Sequence, residues 1–249
     1  DVLGSRGLGD VYKRQYKKQE RLYEILAQLK SRLQMSMSSA GHSISAMRAM
    51  SYFSVSGKYS DMTEGIEFYQ LVKELEEHFE EKKDQLSKTL EELAGYIFRK
   101  DNLMISAGAQ PEGLELLEKE IPKVKQILKD APKERETESI TLEKKNEGFL
   151  DASQVQYVSR AGNFKKAGYQ YTGALRILKV LLSYDYLWIN VRVKGGAYGC
   201  MSGFTRRGDG YFSSYRDPNL SKTNEIYEGI PEYICEYTKE FYKIMKERR

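Results

Sequence analysis

The chain has 249 residues, of which 40% are hydrophobic and 31% charged, and its formal net charge is +4. That length can bury one large core or two smaller ones, and no stretch approaches the roughly 18 apolar residues that a membrane span needs. Lysines and glutamates are mixed along the same segments, which describes a solvated surface and excludes the basic footprint of a nucleic-acid binder.

Residues 1–15 show neither a helical nor a strand period, and they lack the basic start and apolar run of a signal peptide. The stretch SRGLGDVYKRQ at 5–15 resembles a frame translation of a transposon-based sequencing adaptor. We expect native sequence to begin near Tyr16, with the true N-terminus lost.

From residue 16 to 38, Leu22, Ile25, Leu26, Leu29 and Leu33 recur at helical spacing. Gly41 interrupts this pattern, and Ser43 can cap a second helix reaching Tyr52. Residues 57–61 read as a turn. Thr63 then opens a long helical pattern through Ile66, Leu71, Leu75, Phe79, Leu86, Leu93 and Ile97. The short apolar stretch 102–107 is compatible with a strand. Pro111 precedes a helix over 112–128, because proline is tolerated where the first helical N–H has no partner. The charged stretch 129–145, with Pro132 and few apolar residues, reads as a linker.

Beyond it, 155–159 alternates like a strand. Residues 171–193 form a strongly apolar helix, followed by Gly195, Gly196 and Gly199. Two strand-like runs, 199–204 and 211–215, are joined by Arg206-Arg207-Gly208-Asp209-Gly210, which reads as a hairpin turn. Asp217-Pro218-Asn219 punctuates, and Ser221 or Thr223 starts a last helix that runs to Arg249 without a cap, which predicts a truncated C-terminus. Mixed helices and hairpins define a helix-rich α+β class.

Chemistry is sparse. His78-Phe79-Glu80-Glu81-Lys82 falls one residue short of the H-x-x-E-H metal motif, because a cationic lysine cannot replace the second histidine. His42 has no carboxylate or cysteine nearby in sequence. Cys200 and Cys235 make neither a disulfide framework nor a metal spacing, and they suit a reducing compartment. Lys194-Gly195-Gly196-Ala197-Tyr198-Gly199 lacks the P-loop frame and follows a helix instead of preceding one, so a helix end turning into a strand is the geometric reading. Arg192 and Tyr198 flank that turn.

The string VRVKGGAYG at 191–199, followed by FSSYRDPN at 212–219, resembles the last domain of the insulinase (pitrilysin) family of zinc metallopeptidases, in its presequence-protease branch. GNF at 162–164, YTGAL at 171–175, YDYLW at 184–188 and RAMSYFS at 48–54 are similar to the same branch. The resemblance covers nearly everything from Tyr16 onward. It implies four related α+β domains in two halves that close around a peptide chamber, with helices packed on antiparallel sheets. It places residues 16–128 in an incomplete third domain, 129–145 in a linker and 146–249 in a truncated fourth domain. It implies zinc in the complete enzyme, held by an N-terminal half absent from this chain, and no metal ligated here.

By motif position, the family's substrate-contacting pair is Arg192 and Tyr198, with no catalytic residue in this chain. The expected partners are unstructured peptides and the zinc-bearing half of the same polypeptide, with no nucleic acid or membrane, in the cytoplasm of a bacterium. A non-catalytic paralogue of the same fold, acting in assembly or partner binding, is the alternative.

Overall fold

A computed structural model describes residues 19–130, 139–150 and 154–247. The adaptor-like residues 1–15 lie outside these, as does the middle of the charged linker, 131–138. The chain forms two compact units, one of residues 1–30 and 72–139, the other of residues 31–71 and 140–249. Their composition is helix-rich α+β, with a small antiparallel sheet.

The helices in chain order are α1 (Gln19–Ser39), α2 (Gly41–Ser51), α3 (Val55–Glu64), α4 (Ile66–Glu77), α5 (Phe79–Ile97) and α6 (Pro111–Ile127). In the first unit Leu22, Leu26, Val72 and Phe79 are buried, and the rings of Tyr23 and Phe79 meet at 5.2 Å. Lys30 Nζ pairs with Glu76 at 2.7 Å. Proline occupies the first turn of α6, as expected.

Ser43 lies inside α2, which starts at Gly41 after Ala40 and has no side-chain cap, and three further expectations fail for identifiable reasons. Residues 57–61 are helical, because Ser54 caps α3 by accepting from the Gly57 N–H at 2.9 Å. Gly57 marks close packing: a Cβ there would sit 2.7 Å from the Met50 carbonyl. The long pattern from Thr63 is divided by a break at His78, and its start is set by Asp61, whose Oδ1 accepts from the Ile66 N–H at 3.0 Å. Residues 102–107 form no strand, Asn102 ending a short 3-10 turn, and Met104 is 90% exposed.

The second unit holds a sheet of order β1-β3-β2, all antiparallel: β1 (Ser159–Asn163), β2 (Gly199–Phe204) and β3 (Asp209–Tyr215). The expected hairpin is present, with Thr205 N–H donating to Asp209 O at 2.9 Å and Gly208 at φ +105°. The expected strand at 155–159 is displaced toward β1. A Gln156–Asp217 bridge precedes β1, which pairs Ser159 with Ser213.

Side chains alternate across the sheet. On one face Ser159 and Ser213 meet α2: their hydroxyls lie 2.7 Å apart, Ser213 Oγ donates to the His42 carbonyl at 2.9 Å, and Ser45 Oγ lies 2.7 Å from Ser159 Oγ. On the other face Cys200, Phe204 and Phe212 pack against the core of Val158, Leu182, Leu187, Val191, Ala197, Tyr227 and Ile230. That core is built by α7 (Ala174–Leu181) and its continuation, α8 (Ser221–Glu228) and α9 (Ile230–Glu247). The continuation of α7 is wider than an α-helix, with π turns over Leu182–Tyr186 and Trp188–Val193.

Candidate functional site

The second π turn delivers the chain into the glycine turn. Lys194 N–H donates to Ile189 O at 2.9 Å, five residues back. Gly196 N–H then donates to Arg192 O at 2.9 Å and Ala197 N–H to Val191 O at 3.1 Å, so the last carbonyls of the helix are satisfied as the chain reverses. Both glycines are required by geometry. A Cβ on Gly195 would lie 2.4 Å from the Val191 carbonyl oxygen, and Gly196 sits at φ +81°. Ala197 then plugs into the core, 3% exposed, and the chain enters β2.

This reversal brings Arg192 and Tyr198 together. The Arg192 guanidinium carbon lies 4.1 Å from the Trp188 ring centroid and 5.6 Å from that of Tyr198. Tyr198 meets Tyr215 edge-on at 5.8 Å, and the Arg216 guanidinium carbon lies 5.6 Å from the Tyr215 ring centroid. Tyr198 is 65% exposed and Trp188 39%. Among the described residues no carboxylate lies within 4.0 Å of the Arg192 guanidinium, so a permanently charged five-donor group is held by ring faces and keeps its N–H groups available. Tyr198 is the more open of the two, with its ring on the surface instead of in the core.

The segment after β3 supports the turn. Arg216 adopts φ +48°, and Asp217 behind it is fully buried. Asp217 Oδ2 accepts from the Thr223 hydroxyl at 2.7 Å, and its Oδ1 accepts from the Asn219 N–H at 2.9 Å. Burial pushes the neighbouring Cys200 thiol up to about 11, which makes it a poor nucleophile.

Elsewhere, Arg48 of the RAMSYFS string centres a second cluster. Its Nη1 donates to buried Asp61 at 2.6 Å, its Nη2 to Glu147 at 2.9 Å and its Nε to the Tyr52 hydroxyl at 3.0 Å. Of the two histidines, His42 lies in α2 with its Nδ1 buried and unpartnered among the described residues, and His78 sits at the break between α4 and α5. His78 Nδ1 lies 3.2 Å from the Glu74 carbonyl, and Lys82 pairs with the Glu74 carboxylate. The His42 ring stands edge-on to Tyr215 at 4.9 Å, and burial lowers its pKa. Among the described residues no group of three or more His, Cys, Asp or Glu could hold a metal ion, and no helix is long and apolar enough to cross a membrane.

Sequence reasoning singles out Arg192 and Tyr198 and misses the rest of the constellation. Trp188 stands four residues before Arg192, the spacing at which helical side chains meet, and that signal could have found it. Asn219 and Tyr215 reach the turn only through the fold.

Two family models match the chain: the PreP C-terminal domain over residues 146–245 and a peptidase-associated region over residues 11–75. The chain is 37% identical over 218 residues to Protein HypA of Clostridium perfringens, covering 88% of this chain and 22% of that protein. It is 30% identical over 223 residues to presequence protease 1, chloroplastic/mitochondrial, of Arabidopsis thaliana, covering 88% and 21%. It is 27% identical over 238 residues to the mitochondrial presequence protease of Saccharomyces cerevisiae, covering 88% and 23%. The chain belongs to the presequence-protease branch of the insulinase-type peptidases. It spans about a fifth of the length of these relatives.

Proposed function

We propose that this chain is part of the non-zinc, substrate-binding half of a zinc metalloendopeptidase that degrades unstructured peptides, and that Arg192 and Tyr198 are its peptide contacts. The observation that carries the reading is the pairing itself. A guanidinium with no carboxylate within reach among the described residues and an exposed phenol sit side by side on one tight turn. Both are hydrogen-bond donors, and a peptide backbone offers carbonyl oxygens. When a carbonyl is attacked, charge develops on its oxygen, and donors already in place stabilise that charge without reorganising.

The described residues do not fit a zinc site, so no step at a metal is assigned to them. In this proposal zinc is held by an N-terminal half of the same polypeptide, and Arg192 and Tyr198 act when that half closes over them. Residues 16–128 and 146–249 are assigned to the third and fourth domains, with 129–145 between them. A cytoplasmic, bacterial setting belongs to the same proposal, supported by the likeness to the Clostridium protein and by two free thiols.

The test uses the full-length polypeptide carrying this segment, with Arg192→Ala and Tyr198→Phe, measuring peptide turnover and thermal stability together. Loss of one donor to a developing oxyanion lowers turnover by about a hundredfold or more, roughly 3–4 kcal/mol. Loss of a surface contact costs only about 0–1 kcal/mol of stability and leaves turnover alone. Wild-type turnover in both variants sinks the assignment, and a full-length protein with no peptidase activity at all favours the non-catalytic alternative.

A further inference from the structure

We infer that Asn219 is a positioning residue: it fixes the Gly195–Gly196 turn and thereby holds Arg192 and Tyr198 at their mutual distance. The inference rests on the reading of those two residues as peptide contacts.

Two consecutive glycines give the chain the freedom to reverse, and by themselves they also leave the reversal loose. The helix that ends here commits its Arg192 and Val191 carbonyls to Gly196 and Ala197, and Gly195 presents its own carbonyl beyond that ladder. Asn219 Nδ2 donates to this Gly195 carbonyl at 2.6 Å. Tyr198 N–H, at the other end of the turn, donates to Tyr215 O at 2.9 Å and lies 3.3 Å from Arg216 O. The segment from Tyr215 to Asn219 therefore grips the turn at both ends, one end through a side chain and the other through backbone.

The grip is itself anchored. Asn219 is oriented by its own N–H on Asp217 Oδ1, and Asp217 is held by the Thr223 hydroxyl and by a two-way backbone bridge to Gln156 at 2.9 and 3.0 Å. Asp217 and Thr223 are 0% and 1% exposed. Pro218 fixes the backbone between the anchor and the amide, and its Cγ lies 3.6 Å from where a Cβ on Gly196 would sit. A buried post thus ends in one amide that reaches the turn. Displacements near 1 Å at a catalytic contact can cost about a hundredfold in rate, so a lost tether of this kind is read in turnover more than in binding.

The test combines Asn219→Ala with Arg192→Ala and Tyr198→Phe in the full-length polypeptide, measuring kcat, KM and Tm. Expected is a fall in kcat of about tenfold or more with KM little changed, and no further fall when Asn219→Ala is added to a chain already carrying both Arg192→Ala and Tyr198→Phe. Amide exchange at Gly196, Ala197 and Tyr198 should quicken in Asn219→Ala while the β2 and β3 amides stay protected. Should that variant fail to fold, Thr223→Val, which removes only the hydroxyl holding Asp217, replaces it with the same expected signs. Unchanged kcat in Asn219→Ala, or a loss that multiplies when it is added to the Arg192→Ala/Tyr198→Phe variant, overturns the inference while leaving the Arg192 assignment intact. Unchanged turnover in Arg192→Ala overturns the assignment instead, and unchanged exchange at the turn refutes the tether on its own.

Discussion

Arg48 and Asp61, thirteen residues apart, form an ion pair at 2.6 Å in which the carboxylate is wholly buried and the arginine side chain is 14% exposed. The same Asp61 caps α4 through the Ile66 N–H. Breaking a buried pair from one side leaves an uncompensated charge, at a cost of roughly 3–5 kcal/mol. Arg48→Ala is expected to destabilise the chain by about that much in a denaturant titration. Arg48→Lys should recover only part of the loss, since one ammonium cannot serve Asp61, Glu147 and Tyr52 together. Wild-type stability in Arg48→Ala would show that solvent replaces the guanidinium.

The same cluster sets opposite pH limits. Burial tends to raise the Glu147 carboxyl, but hydrogen bonds and charge from Arg48 outweigh it and hold the group below its ordinary 4.5. A depressed carboxyl adds stability above the unfolded value and loses it as pH falls through the folded value, so its contribution disappears below 4.5. Tyr52 is pushed up to about 12 from 10.0, chiefly by burial, so its contribution is complete below 10.0 and lost as pH rises toward 12. Glu147→Gln should flatten the acid limb of Tm against pH, and Tyr52→Phe should flatten part of the alkaline limb. Burial shifts Tyr186 and Tyr227 upward as well, so the alkaline limb does not vanish.

Trp188 is the only tryptophan, which makes its emission a direct report on Arg192. Removing the guanidinium that covers one ring face at 4.1 Å should shift emission in Arg192→Ala. Trp188→Leu should lower turnover of the full-length polypeptide by up to about fivefold, since a cation–π contact at an exposed site is worth about 0.5–1 kcal/mol. An unchanged spectrum in Arg192→Ala would mean that the stack is not populated in solution.

Leu187 is fully buried in the core of the second unit. Leu187→Ala is expected to cost about 2–5 kcal/mol, read as a lower denaturation midpoint at unchanged slope. A cost below about 1 kcal/mol would mean that the core collapses to fill the space.

Gly195→Ala should be harsher than Gly196→Ala. The first places a methyl 2.4 Å from a backbone oxygen that is itself held in the helix end. The second meets only Pro218 Cγ at 3.6 Å and incurs the left-handed penalty of roughly 1–2 kcal/mol. Equal losses in the two variants would place the constraint on flexibility instead of on close approach.

Much of this architecture is legible in sequence because its signals are local. Pro111 at the head of α6, the apolar period of α1 and the Gly208 hairpin each act within a few residues. What escapes depends on pairing at a distance. The strand at 159–163 reads SRAGN and has little strand character of its own; it is extended because β3 offers it a ladder. Gly57 reads as a breaker and is a contact glycine, a distinction that only the neighbouring Met50 carbonyl decides. At the candidate site Arg192 and Tyr198 are visible through their string. The amide of Asn219 reaches Gly195 across 24 residues, and Glu147 reaches Arg48 across 99, separations that no periodicity encodes.

The wide turns over Leu182–Tyr186 and Trp188–Val193 make residue count, more than residue type, the constrained quantity in this stretch. Deleting one residue there would return a wide turn to ordinary α geometry and swing everything downstream by roughly 100° about the helix axis. The guanidinium would then leave its ring platform although every side chain of the constellation was still encoded. Lineages of this chain should accept substitutions along the outer face of the segment, where Tyr184 is 73% exposed, and reject insertions or deletions of a single codon.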